Sequence, residues 1–149
     1  RGSNLLINIA PDRRGLLPEE NLKLLSDMMK EVRRRFDDCR ISSSGIIKKD
    51  DMYYISFDEY SLVDHIVLEE DLTEGQHIRS FDICVSETTE EFNNFQIYRG
   101  CTVGHKTICT FPPIRAKNIV LKIIDGNENA KLKSFYACYS KEPQIRQIY

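Results

Sequence analysis

The sequence lacks several features that would assign it to a class at once. No apolar run approaches the roughly 20 residues of a membrane span, so none is predicted. A large excess of charge of one sign is also lacking: the sequence has 21 Lys and Arg and 23 Asp and Glu, a formal net charge of -2. That balance excludes a strong field for nucleic acid or anionic membranes, and no nucleic-acid partner is expected. No signal peptide is visible, although a chain that begins mid-protein would show none.

Closely spaced cysteine and histidine ligands are missing as well. The five cysteines are odd in number, widely spaced and without a Cys-x-x-Cys pair: Cys39, Cys84, Cys101, Cys109 and Cys138. We interpret them as small buried hydrophobic residues, with one Cys101–Cys109 disulfide left open. His65 and His77 are too irregularly placed for a metal cluster. No metal and no other cofactor is expected, and the redox compartment stays undecided.

What the sequence does contain begins with an almost continuously apolar segment over residues 4–9. Such a segment predicts a strand buried on both faces, which is the habit of parallel sheets. A polar loop over residues 11–15 and an amphipathic helix follow. One strand–loop–helix unit cannot cover its own apolar faces. We therefore expect residues 1–36 to be the end of a larger unit, and the chain to be the C-terminal part of a larger protein.

The helix is predicted to begin at Pro18 or Glu19, since proline and acidic residues suit the first turn. Its apolar positions recur at three- and four-residue steps: Leu22, Leu25, Met29, Val32 and Phe36. The arginines at 33–35 fall in the last turn, where positive charge is favoured, and predict a solvated helix end. Residues 37–50 are interpreted as a linker.

From residue 51 the apolar period changes to two, which predicts strands. The expected strands are 53–57, 63–68, 81–85, 95–98, 107–111, 118–123 and 132–139. Turn signals separate them, at 74–75, 93–94, 99–100, 112–113 and 125–127. Seven short strands with almost no helical pattern favour an antiparallel β-sandwich over residues 51–140. Phe81, Ile83 and Val85, with Ile119, Leu121 and Ile123, are expected in its core, and residues 141–149 form a tail.

Two motifs resemble the α-L-fucosidases of glycoside hydrolase family 29. Residues 4–19, NLLINIAPDRRGLLPE, are similar to that family's N-L-L-L-N-x-x-P-D-R-x-G-L-I-P pattern at the last strand and helix of its catalytic barrel. Residues 67–72, 74–76, 78–81, 100–106 and 111–114 resemble its C-terminal β-sandwich. The resemblance leaves out residues 37–51 and the tail. It implies a mainly β fold: a jelly-roll, galactose-binding-like β-sandwich preceded by the last β/α unit of a (β/α)-barrel.

The resemblance also implies a function. The parent enzyme would remove terminal α-linked L-fucose from glycans with retention of configuration, using two carboxyl groups roughly 5 Å apart. No position here matches either catalytic motif, so no catalytic residue is assigned and the chain alone is expected to be inactive. The implied partners are the rest of the barrel and a fucosylated glycan. The implied location is extracytoplasmic. The alternative is a stand-alone carbohydrate-binding or protein-interaction module.

Two candidate site segments emerge. Asp12, Arg13 and Arg14 follow the barrel-type strand, at the face where barrel enzymes assemble their sites. Two interpretations stay open: these residues border the substrate, or they only shape a turn around Gly15. His105 and Lys106 are candidates for a glycan-binding loop beside a tyrosine platform, or for solvated loop residues. The three carboxylates of residues 69–71 are interpreted as a solvated strand end, because neighbouring strand positions point to opposite faces.

Overall fold

The computed structural model describes residues 5–87 and 95–141. Within these residues, one helix precedes six strands, and all the strand pairs are antiparallel. The elements are α1 (Glu19–Phe36), β1 (Ile47–Lys49), β2 (Met52–Glu70), β3 (Ser80–Ser86), β4 (Phe95–Gly100), β5 (Thr107–Asp125) and β6 (Leu132–Cys138). The fold is mainly antiparallel β sheet with one helix, as predicted. The 93–94 turn signal and almost all of the predicted tail lie outside the described residues.

The apolar segment at the start of the chain differs from its prediction. Residues 5–10 form no strand, and Asn4 lies outside the described residues. A strand requires a hydrogen-bonded neighbour, and none of the described strands lies beside this segment. Leu6 is consequently 93% exposed.

Helix α1 begins and ends as predicted. Pro18 precedes it, Glu19 and Glu20 occupy the first turn, and the arginines at 33–35 occupy the last. No residue of α1 is buried, although its apolar stripe is pronounced. Within the described residues, no helix combines the length and the apolar character that crossing a membrane requires.

Strands β2 and β5 are each 19 residues long, whereas the sequence predicts two short strands in place of each. The predicted break at Pro112–Pro113 is wrong. Between the Val63–Ile114 and His65–Thr110 pairs, β5 places residues 111–113 opposite Asp64 alone. Proline cannot donate to a ladder, so a bulge accommodates both prolines without ending the strand.

A second irregularity lies further along the same pair of strands. Between Ser56–Asn118 and Ser61–Ala116, β2 places residues 57–60 opposite Lys117. The Lys117 ammonium donates a hydrogen bond to the Asp58 carbonyl oxygen. On one side of these irregularities the strand order is β1-β2-β5-β3-β4, and on the other side β6 pairs with β2. The two long strands therefore belong to two parts of one sheet.

Both parts of the sheet contribute to one apolar core. Ile55 and Ile83 come from the first part, while Leu68 and Phe135 come from the second. Tyr54, Cys84 and Val120 form a smaller cluster separate from that core. A shared core between two parts of a sheet is consistent with the predicted β-sandwich. Of the residues expected in it, Phe81, Ile83, Ile119 and Leu121 are fully buried, and Val85 and Ile123 are partly buried against it.

The predicted linker over residues 37–50 is partly attached to the sheet. The Cys39 carbonyl oxygen accepts a hydrogen bond from the Tyr139 amide, and the Ile41 amide donates to the Ala137 carbonyl oxygen. Strand β1 then adds to the edge of β2 through the Ile47–Tyr54 pair. The segment that joins α1 to β2 is thus held at both of its ends.

Replacing Gly100 with alanine is expected to destabilise the fold. Gly100 pairs directly with Phe81, and a Cβ at position 100 would overlap the fully buried Phe81 ring. Overpacking of this kind costs about 1–3 kcal/mol. Urea denaturation of G100A measures the loss. Gly45→Ala is the matched control, because a Cβ at Gly45 meets no atom within 4 Å. Equal stabilities of G100A and G45A would contradict the prediction.

Candidate functional site

The predicted substrate-proximal segment forms a tight turn. The Asp12 carboxylate accepts hydrogen bonds from the Arg14 and Leu16 amides at 2.8 and 3.1 Å. The Arg14 guanidinium donates to Asp12 Oδ2 at 2.9 and 2.7 Å, and this contact holds the pKa of Asp12 below its usual 3.8. Gly15 has φ +77°, which favours glycine. Both charged groups are thus engaged within the turn, whereas Arg13 is exposed.

The second candidate segment lies on the loop between β4 and β5. Lys106 Nζ lies 3.0 Å from Glu69 Oε1, and this ion pair raises the pKa of the lysine. Lys133 lies 4.0 Å from the other oxygen of Glu69. His105 is exposed. Lys106 therefore meets any ligand as part of a surface ion-pair group.

Tyr136 lies close enough to Lys106 for the lysine charge to act on it, so it is the candidate for the expected tyrosine platform. The Arg40 guanidinium carbon lies 4.3 Å from its ring centroid, a cation–π distance. One face of the expected stacking platform is consequently occupied. Across residues 5–87 and 95–141, no hydrogen bond or ion pair joins Asp12, Arg13 or Arg14 to His105 or Lys106.

An open cleft of about 440 Å³ lies beside the segment that follows α1. It is lined by residues 40–46 and Phe135, and it includes none of the predicted site residues.

The interpretation of residues 69–71 as a solvated strand end is wrong for Glu70. Glu70 is buried, and its carboxylate accepts hydrogen bonds from the amides of His77, Ile78 and Gly104 at 2.6, 2.8 and 2.9 Å. The Glu70 amide in turn donates to the Gly104 carbonyl oxygen. One carboxylate thus connects the end of β2 to the segment before β3 and to the loop that carries His105 and Lys106.

Three potential metal ligands that the sequence did not predict also lie close together. The Sγ atoms of Cys39 and Cys138 and a ring nitrogen of His65 all lie within 4.8 Å of one another. Burial raises the pKa of both thiols above the usual 9.0. Spacing along the sequence does not indicate this cluster, because the cysteines that approach His65 come from the helix exit and from the end of β6. All five cysteines are free, so the Cys101–Cys109 disulfide is not formed.

Comparison with solved structures identifies the class of fold. A Bacteroides ovatus protein assigned as an α-L-fucosidase is 24% identical with a TM-score of 0.73, and the match covers 93% of this chain and 24% of that one. A Ruminococcus gnavus GH29 fucosidase solved with fucose is 16% identical with a TM-score of 0.72, covering 94% and 34%. The chain therefore spans about a quarter to a third of these proteins.

A more distant likeness is to the CBM32 domains of Clostridium perfringens ZmpB, solved with GalNAc, at 15% identity and a TM-score of 0.50 over 58% of this chain. No protein-family model and no curated protein matches the sequence. The resemblance to GH29 α-L-fucosidases is confirmed at the level of the fold. The R. gnavus match leaves out 6% of 149 residues, about 9, so it includes at least part of the 18-residue α1 as well as the sheet.

Substituting Glu70 with glutamine is expected to destabilise the protein by about 1.5–3 kcal/mol, the range for hydrogen bonds to a charged group. The amide is isosteric, but it turns an NH2 group toward one of the three backbone donors. Chemical denaturation measures the change. Glu74→Gln, on an exposed neighbouring turn, should leave stability nearly unchanged. A loss no larger than that of E74Q would show that the buried carboxylate is not needed.

Proposed function

We propose that this chain is the C-terminal part of a retaining α-L-fucosidase that hydrolyses terminal α-linked L-fucose from glycans. Its own role is structural. Residues 1–36 complete the catalytic barrel, and residues 51–140 form an auxiliary sandwich of the jelly-roll, galactose-binding-like type. The catalytic carboxylates belong to the remainder of the barrel, because no residue here matches either catalytic motif.

The uncovered apolar surface of residues 5–36 carries this proposal. Leu6 and Leu24 are 93% and 71% exposed, and α1 has no buried residue. Nine large apolar side chains are exposed between residues 5 and 36, and exposed apolar surface of this kind marks a contact surface. The fucosidase structures that share this fold are about three to four times as long as this chain, so they contain additional structure against which such a surface can pack. The partner that we propose is therefore the rest of the barrel.

The proposal gives the Asp12–Arg14 turn a place in the intact enzyme. It would lie at the carboxyl end of the last barrel strand, where barrel enzymes build their sites. Because Asp12 and Arg14 neutralise each other, Arg13 is the residue available to contact substrate. It makes no ion pair within the described residues. By the same resemblance we propose an extracytoplasmic location.

The central test compares two proteins. The protein encoded by this chain together with its upstream coding sequence should hydrolyse an aryl α-L-fucoside, and NMR of the released sugar should show retention. The 149-residue chain alone should give no turnover. Turnover by the short chain, or an upstream sequence that encodes no barrel, would contradict the proposal.

In that longer enzyme, Arg13→Ala is expected to lower kcat/KM for a fucosylated glycan at least tenfold. Arg33→Ala, which removes an exposed arginine from α1, should leave it unchanged. Equal kinetics for the two variants would show that the turn does not border the substrate. The fucosidase activity itself would stand.

The second candidate function is a stand-alone carbohydrate-binding module, favoured by the likeness to the CBM32 domains. His105 and Lys106 would then contact the sugar. Calorimetric titration of the chain with a fucosylated or galactosylated glycan should detect binding that H105A weakens and that Lys131→Ala, at an exposed site, preserves. No heat of binding with either glycan would eliminate this candidate.

A further inference from the structure

We propose that Cys39, His65 and Cys138 form a structural zinc site that joins the end of α1 to the sheet. Cys39 follows the helix, His65 lies on β2 and Cys138 ends β6. Cys39, His65 and Cys138 are 7%, 5% and 0% exposed, respectively. Two sulfurs and one imidazole nitrogen from three separate segments thus converge in the protein interior.

The distances fit the ion. With Zn–S near 2.3 Å and Zn–N near 2.1 Å, tetrahedral coordination places sulfur and nitrogen about 3.6 Å apart. Cys39 Sγ lies 3.7 Å from His65 Nε2. All three ligand atoms lie within 4.8 Å of one another, so closing the site around an ion needs only small side-chain movements.

The Asp64 carboxylate orients the His65 ring, as carboxylates commonly do for histidines that bind zinc. Its Oδ1 lies 2.6 Å from His65 Nδ1. A carboxylate only accepts hydrogen bonds, so Nδ1 carries the hydrogen and Nε2 faces the sulfurs. Ser140 donates to Asp64 Oδ2 through its amide and its hydroxyl, at 2.9 and 2.5 Å. A carboxylate oriented in this way behind a ligating imidazole is a recurring part of zinc centres.

The Arg35 carbonyl oxygen can supply the fourth ligand once it moves away from Cys39 Sγ, because the two atoms are 2.5 Å apart and ligands of tetrahedral zinc are about 3.6 Å apart. It lies 3.1 Å from His65 Nε2 and accepts the hydrogen of the Cys39 thiol. The Nδ1 hydrogen is directed at Asp64, so either a hydrogen on Nε2 or a bound cation joins Nε2 to the Arg35 carbonyl oxygen.

Charge and softness select the ion. Two thiolates neutralise Zn²⁺, whereas a monovalent soft cation would leave a buried negative charge, which is costly. Hard cations such as Mg²⁺ and Ca²⁺ prefer oxygen ligands. Structural zinc sites are closed and four-coordinate, and this cluster is enclosed by the helix end, β2 and β6. A role in holding α1 against the sheet follows from that position.

The test uses the full chain, purified under reducing conditions and dialysed against Zn²⁺. We expect one tightly held zinc per chain by elemental analysis. Replacement by Co²⁺ should give a thiolate-to-cobalt charge-transfer band and the intense visible bands of tetrahedral coordination. This spectrum is read on the unaltered protein, so it does not depend on a variant that folds.

Variants then assign the ligands. C39S and C138S should each lose the zinc and the charge-transfer band, while Cys101→Ser, at an exposed thiol away from the cluster, should keep both. Asp64→Asn should weaken zinc binding about tenfold or more. Metal-free protein with five titratable thiols after dialysis would overturn the proposal. A Cys39–Cys138 disulfide that persists under the reductant, or zinc retained by both C39S and C138S, would also overturn it.

Discussion

The antiparallel ladder between β2 and β5 is the constraint on which the rest of the structure depends. It runs from the Met52–Lys122 pair to the Leu68–Thr107 pair. Strands β1 and β6 hydrogen-bond to β2, β3 hydrogen-bonds to β5, and β4 reaches the ladder through β3. The period-2 alternation of the two long strands decides which side chains enter the core, since a slip of one residue would reverse both faces.

One irregularity in that ladder lies at Asp64 and His65, where the end of α1 meets the sheet. Consecutive residues on a regular strand point to opposite faces, yet Asp64 and His65 are hydrogen-bonded to each other. They lie where β5 inserts Phe111, Pro112 and Pro113 into the pairing. The bulge is on β5, and it disrupts the ladder and increases the local twist opposite Asp64, which allows the two polar groups on β2 to converge. The two prolines thus shape the surroundings of His65, although nothing in the sequence links them to a functional site.

Local pattern was sufficient to predict the helix, the alternation of the strands and most of the core, because these depend on neighbours within a few residues. The length of β2 and β5 was not predictable, since Pro112–Pro113 ends most strands and only the partner strand reveals a bulge. Glu70 appeared to be one of three solvated carboxylates. Its three backbone donors come from residues 77, 78 and 104, which only the folded chain brings to it.

The attachment of α1 explains why one polypeptide has both a closed core and an open apolar surface. The helix contacts the sheet through its last turn: Arg34 donates to the Ser140 carbonyl oxygen at 2.5 Å, and the Phe36 ring packs edge-on against His65. These contacts use Phe36, the last residue of the apolar stripe, and leave Leu22, Met29 and Val32 exposed. Burying the whole stripe against the sheet would have closed the apolar surface that we propose as the contact with the rest of a barrel. Because only its end is anchored, the helix keeps the rest of the stripe accessible while the sheet sets its direction, which is the arrangement that the proposed docking against a barrel requires.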